Sequence, residues 1–119
     1  MTPEQKELAR RFVACKRWRW MPGMLARYID GEAWHRLTDG DGHGYPFRHF
    51  PPNPREAWPD LTDPATLGCI LALVREATDD RRIHCRVRAN VYRVYSGVSP
   101  VGRWMESEAE ALLLALEVA

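Results

Sequence analysis

The sequence predicts an α+β domain: a layered sandwich in which three amphipathic helices close over one small, mainly antiparallel sheet. Two observations carry this. Apolar residues recur at helical spacing in three stretches, at the start, centre and end of the chain, each opened by a capping signal. Between the second and third stretches, residues 83–105 carry strand-like alternation, and strands this close in sequence pair antiparallel. At 119 residues, with 45% hydrophobic and 28% charged residues, the chain is expected to be a single domain, residues 1–119, with one core.

The first helix is expected from about Pro3 to about Cys15. Thr2 and Gln5 fit a capping box, and Pro3 takes the first helical position, where a missing N–H costs nothing. Leu8, Phe12 and Val13 or Cys15 form its apolar stripe, and Pro22-Gly23 bars any continuation. From Asp30 to Pro59 regularity falls away. Ala33 to Leu37 alternates like a short strand, and Asp39 to Gly44 is turn-forming. Five prolines between Pro46 and Pro59 keep the chain extended or irregular, with a brief edge strand at Phe47–Phe50. Residues 38–59 are therefore expected to be an irregular insertion and the most mobile surface.

The central helix has Asp63 as N-cap, Pro64 as first residue, and Leu67, Ile70, Leu71 and Val74 on one face. Gly68 interrupts it at a cost of about 1 kcal/mol relative to alanine, which suggests close approach of a neighbouring backbone. The helix is expected to stop near Thr78-Asp79-Asp80. In the next segment Ile83, Cys85, Val87 and Ala89 point inward and His84, Arg86 and Arg88 outward. Alternation breaks phase at Asn90, which calls for a bulge or a tight hairpin turn before Val91–Tyr95. Gly97–Gly102 reads as loop and Arg103–Met105 as a last short strand. Ser107 and Glu110 then cap a final helix with Ala109, Leu112, Leu113 and Leu116 inward.

The net charge of +1 conceals an uneven distribution. Residues 8–29 and 81–105 contain no acid but several arginines, whereas acids cluster around the central helix and after residue 105. Such a dipolar surface bears on partners and not on fold. No apolar run approaches the roughly 20 residues of a membrane-spanning helix. The polar start resembles neither a secretory signal nor a transit peptide. Three widely spaced cysteines, Cys15, Cys69 and Cys85, read as reduced thiols on apolar faces, in keeping with a cytoplasmic protein.

Few residues suggest catalysis. Asp39, Asp41 and His43 have alternate-ligand spacing, but Phe50 stands where a calcium loop needs a bidentate glutamate. His35, His43 and His49 have no spacing that demands a metal. The serines sit in loops or caps without a nucleophile elbow, and no phosphate-cradling glycine loop precedes a helix. The expectation is a non-enzymatic protein without catalytic residues, metal or cofactor.

The signal that stands out is Lys16-Arg17-Trp18-Arg19-Trp20. Cations interleaved with indoles grip phosphate and stack on bases, and the same pair of residue types dominates protein interfaces. Equally, Trp18 and Trp20 could complete the core while the arginines face water. Arg86 and Arg88, with His84 and Tyr92, form a second candidate, an anion-attracting sheet surface provided no helix covers it.

The stretch Arg17–Leu25, the cassette Pro59–Ala77 and the terminal segment Ser107–Glu117 together resemble small proteins encoded by bacteriophages and prophages, in particular the phage ABA-sandwich domains. The resemblance covers the two ends and the central helix. It implies a phage origin and helices on both faces of a small sheet, and it carries over no activity and no functional residue. The expected function is that of an accessory protein in the host cytoplasm. It would bind a bacterial or phage protein, as an anti-CRISPR-like inhibitor of a host defence complex does. The alternative is a nucleic-acid-binding module using the basic and aromatic surfaces Lys16–Trp20 and Arg86/Arg88.

Overall fold

The computed structural model describes residues 1–29, 31, 33–37 and 57–119. Its elements run α1 (Pro3–Ala14), β1 (Leu25–Tyr28), β2 (His35–Arg36), β3 (Ala57–Pro59), α2 (Pro64–Thr78), β4 (Ile83–Arg88), β5 (Val91–Ser96), β6 (Ser99–Met105) and α3 (Glu108–Val118). The α+β class, the three helices and the antiparallel pairing follow the sequence expectation. The strands, however, form two three-stranded sheets, ordered β2-β1-β3 and β4-β5-β6, in place of one.

Each helix begins where its cap predicts. Thr2 and Gln5 complete the capping box of α1: the Gln5 N–H donates to Thr2 Oγ1 at 3.1 Å, and Thr2 N–H to Gln5 Oε1 at 2.9 Å. Asp63 accepts from the Thr66 N–H at 3.0 Å, and Ser107 from the Glu110 N–H at 3.1 Å. α2 ends at Asp79, whose φ of 50° is left-handed and closes the last turn.

α3 is the centre of the core. Ala109, Ala111, Leu112, Leu113, Ala115 and Leu116 are buried, so more than one face of this helix is covered. It packs against α1, α2 and one face of the β4-β5-β6 sheet. Phe12, Ile70, Leu73, Val74, Ile83 and Val94 meet it in one continuous cluster with Trp20 and Met24. The smaller sheet joins this core through Thr66, a fully buried polar side chain whose Oγ1 accepts from the Leu25 N–H at 2.9 Å.

Several expectations change. Gly68 is exposed, and a Cβ there would meet nothing within 4 Å, so no backbone approaches it. On β4 only Ile83 is buried and Cys85 is half-buried. Val87 is 61% exposed and Ala89 lies in the turn, because the hairpin runs on past the cover of the helices. The phase break at Asn90 is a two-residue turn: Arg88 pairs with Val91, and Ala89 and Asn90 have φ of 50° and 65°. β6 begins at Ser99, inside the segment expected to be loop. Residues 57–59 of the expected insertion form β3. Residues 38–56, with the expected edge strand and turn, lie outside the described residues.

Candidate functional site: the arginine–aromatic face of the larger sheet

The strict alternation of β4 and β5 and a fixed register build this face. Ile83, Cys85 and Val87 pair with Ser96, Val94 and Tyr92 on the side that α3 covers. The intervening pairs, His84 with Tyr95, Arg86 with Arg93 and Arg88 with Val91, project from the opposite side. Among the described residues, the helices therefore do not cover both faces of this sheet. The first side holds most of the apolar side chains of these strands, and what remains on the second, Val91 apart, is basic and aromatic.

β6 adds Trp104. Tyr92 pairs with Met105 and Val94 with Val101, so two steps along β5 match four along β6, and the surplus forms a bulge at residues 102–104. Gly102 makes the bulge possible. Its φ is 86°, and a Cβ there would come within 2.7 Å of Leu114 Cδ2 on α3. The bulge brings the Trp104 indole 6.3 Å from the Tyr95 ring, edge-on at 65°.

The cations are held in place. Arg86 lies with its guanidinium 4.3 Å from the centre of the Tyr95 ring, donates from Nε to His84 Nε2 at 2.9 Å, and donates from Nη2 to the Gly97 carbonyl at 3.1 Å. The His84 ring stacks on Tyr95 at 6.0 Å and 22°, and its Nδ1 lies 2.8 Å from the Arg82 carbonyl. Arg93 sits 5.7 Å from the Tyr95 ring and 5.8 Å from the Trp104 ring, with Nε donating to the Gly102 carbonyl at 2.7 Å. Each guanidinium is thus fixed by a main-chain carbonyl of the β5–β6 hairpin, which leaves further N–H donors available to a ligand.

Among the described residues, neither Arg86 nor Arg93 forms an ion pair. They stand directly opposite each other, an arrangement in which like charges repel. The acid at the margin is Asp80, already committed: it accepts from the Ser96 hydroxyl, the Arg82 N–H and Arg82 Nε. The Ser96 hydrogen bond, with those from Arg82, lowers the Asp80 carboxyl to about 2, so it is ionised and stays at the edge.

The other candidate window is arranged differently. Trp20 is 4% exposed, inside the core, and Trp18 is half-buried between Phe12 and Trp20, with ring centres 5.8 and 5.2 Å away. Their indoles are packing material, in the irregular chain after α1 and not on a strand. Arg19 is engaged by Glu76 of α2 at 2.6 Å. Lys16 and Arg17 are exposed beside the C-terminal end of α3. Since α3 lies on the covered side of the larger sheet, the two basic windows do not merge into one surface.

Tyr92, grouped with Arg86 and Arg88 on sequence, belongs to the covered side; Tyr95, Arg93 and Trp104 take its place. Counting outward from a two-residue turn at Ala89-Asn90 would have found the first two. Trp104 had no such signal, because the bulge sets its position.

Among the described residues no three His, Cys, Asp or Glu side chains converge as metal ligands. His35 is exposed on β2, whereas Asp39, Asp41, His43 and His49 lie outside the described residues. The three cysteines are half-buried and free. Burial, with Glu108 nearby, pushes the Cys85 thiol up to about 11, and burial also raises that of Cys69, so both stay protonated at neutral pH. No described helix is long and apolar enough to cross a membrane. Comparison with protein-family models, curated proteins and solved structures finds no match.

Proposed function

We propose that this chain is a non-enzymatic binding module, of the phage-encoded kind its sequence resembles, and that the open face of its larger sheet binds nucleic acid. The observation that carries this reading is the Arg86–Arg93 pair. Two cations face each other across adjacent strands, tied to main-chain carbonyls and flanked by Tyr95 and Trp104. For the free protein this is an unfavourable arrangement. A phosphate placed between the two guanidiniums relieves it, and neighbouring planar groups accept a base by stacking. Nucleic acid supplies both, and the acid-free window 81–105 draws it in by long-range attraction.

Docking to a bacterial or phage protein, including a host defence complex, is the competing reading. The tryptophans it drew on, Trp18 and Trp20, lie in or against the core, which leaves Trp104 as its anchor on this face.

The test is a titration of the protein with labelled mixed-sequence RNA and DNA at increasing salt. Arg86→Gln and Arg93→Gln should each weaken binding about tenfold, while Lys16→Gln, on the other window, should change it less than about twofold. Capture of a specific host protein that survives nuclease treatment, with no measurable nucleic-acid affinity, would favour protein docking instead.

A further inference from the structure

We infer that the ligand of this face is single-stranded and that the contact spans a single dinucleotide step. The inference rests on the nucleic-acid reading above and adds strandedness and length to it. Its basis is the order of groups across the sheet.

Arg86 stacks on Tyr95 at 4.3 Å, so one planar platform is a guanidinium backed by a phenol ring. The Trp104 indole is the second, with its centre 6.3 Å from the Tyr95 ring. Arg93 is almost equidistant from the Tyr95 and Trp104 rings, 5.7 and 5.8 Å from their centres and so beside the pair, with its Nε occupied by Gly102 and no acid partner among the described residues. A base on each platform leaves their linking phosphate beside Arg93, which Arg86 faces across adjacent strands.

Base faces are available for stacking only where a strand is not already stacked in a duplex. The platform is also short. Three strands about 4.8 Å apart span about 10 Å, room for two bases and not for a long track. Beyond Trp104, among the described residues, no further β-strand extends this sheet.

The experiment measures affinity for labelled oligothymidylates from about one to about eight nucleotides, for a duplex of the longest length, and for polyglutamate as a base-free polyanion. Affinity should rise steeply up to about two nucleotides. Beyond that it should grow only with the number of available registers, while the duplex binds at least about tenfold more weakly. The slope of log affinity against log salt should be about −0.7, the value for the one linking phosphate of a dinucleotide step on a single strand. Tyr95→Ala and Trp104→Ala should each cost about fivefold or more, and Trp104→Phe should retain most of the affinity, with melting temperatures reporting that each variant folds.

Duplex binding equal to single-strand binding would overturn the inference while leaving the nucleic-acid reading intact, provided it still depends on Arg93. Affinity that keeps climbing through the longest strand, or a folded Trp104→Ala variant that binds normally, would overturn it too. Binding of polyglutamate but of no oligonucleotide would overturn the nucleic-acid reading itself.

Discussion

Arg36 grips Asp63 with both terminal nitrogens, Nη1 to Oδ2 at 2.5 Å and Nη2 to Oδ1 at 2.9 Å, and so ties β2 to the N-terminus of α2. Arg36 Nη1 also donates to the Gly23 carbonyl at 2.9 Å, and Asp63 accepts from both the N–H and the hydroxyl of Thr66. One carboxylate therefore caps a helix, holds a neighbouring strand, and orients the buried threonine that accepts from the Leu25 N–H of β1.

That latch makes stability depend on acid. The Arg36 hydrogen bond, followed by those from Thr66, lowers the Asp63 carboxyl from its ordinary 3.8 to about 2. A carboxyl lowered on folding contributes stability that is fully present above its unfolded value and lost as pH falls through its folded value. The melting temperature should therefore decline between about pH 4 and pH 2, and Asp63→Asn should flatten that part of the profile. An identical acid limb in wild type and Asp63→Asn would contradict the assignment.

Gly68 is exposed in mid-helix with nothing within 4 Å of a would-be Cβ. Gly68→Ala should stabilise the fold by about 0.5–1 kcal/mol, through helix propensity and reduced freedom of the unfolded chain. Chemical denaturation measures it directly. A loss of stability would mean that something does approach this position.

Gly102→Ala should do the opposite. It forces a side chain into a left-handed conformation and against Leu114, for a loss of about 2 kcal/mol or more. It also disturbs the carbonyl that anchors Arg93, so ligand affinity should fall along with stability. Pairing it with Leu114→Ala separates the two contributions in a double-mutant cycle: the steric part should couple, and the affinity loss should not.

Arg93→Gln offers a sharper separation of function from fold. The variant removes a like-charge contact with Arg86 and gives up two cation–π contacts, with Tyr95 and Trp104, and the Nε hydrogen bond to Gly102, terms of opposite sign each worth about 1 kcal/mol or less. Its stability should stay within about 1 kcal/mol of wild type while nucleic-acid affinity drops about tenfold. A large destabilisation would instead assign Arg93 to the architecture.

Trp20→Ala should cost about 3–5 kcal/mol, since the indole lies in the core. Loss of any partner in that variant would report unfolding and not a lost contact, which a thermal melt distinguishes.

Local physics wrote the helices into the sequence. Thr2, Asp63 and Ser107 cap their helices from side chains a few residues away, and the stripes of Ile70, Val74, Leu112, Leu113 and Leu116 follow from a fixed helical period. The alternation of β4 and the tight turn after it are equally local. These features were legible because each depends on residues within one or two turns of chain. Strand β1 was not. Leu25–Tyr28 has no alternation of its own and is a strand because β2, the more distant β3 and the Thr66 hydroxyl supply its hydrogen bonds.

The same division runs through the candidate site. The sequence by itself put an acid-free run of arginines on a strand and named Arg86 and Arg88. The tertiary structure alone decided which side of the sheet α3 would cover. It thereby placed Arg93, Tyr95 and Trp104 beside Arg86 and drew Trp18 and Trp20 into packing. Burial is a contest among all apolar surfaces of the chain at once, and a bulge set by the fit of Gly102 against Leu114 depends on a helix that follows it. Periodicity states what a residue could face. Only the finished packing determines what it does face.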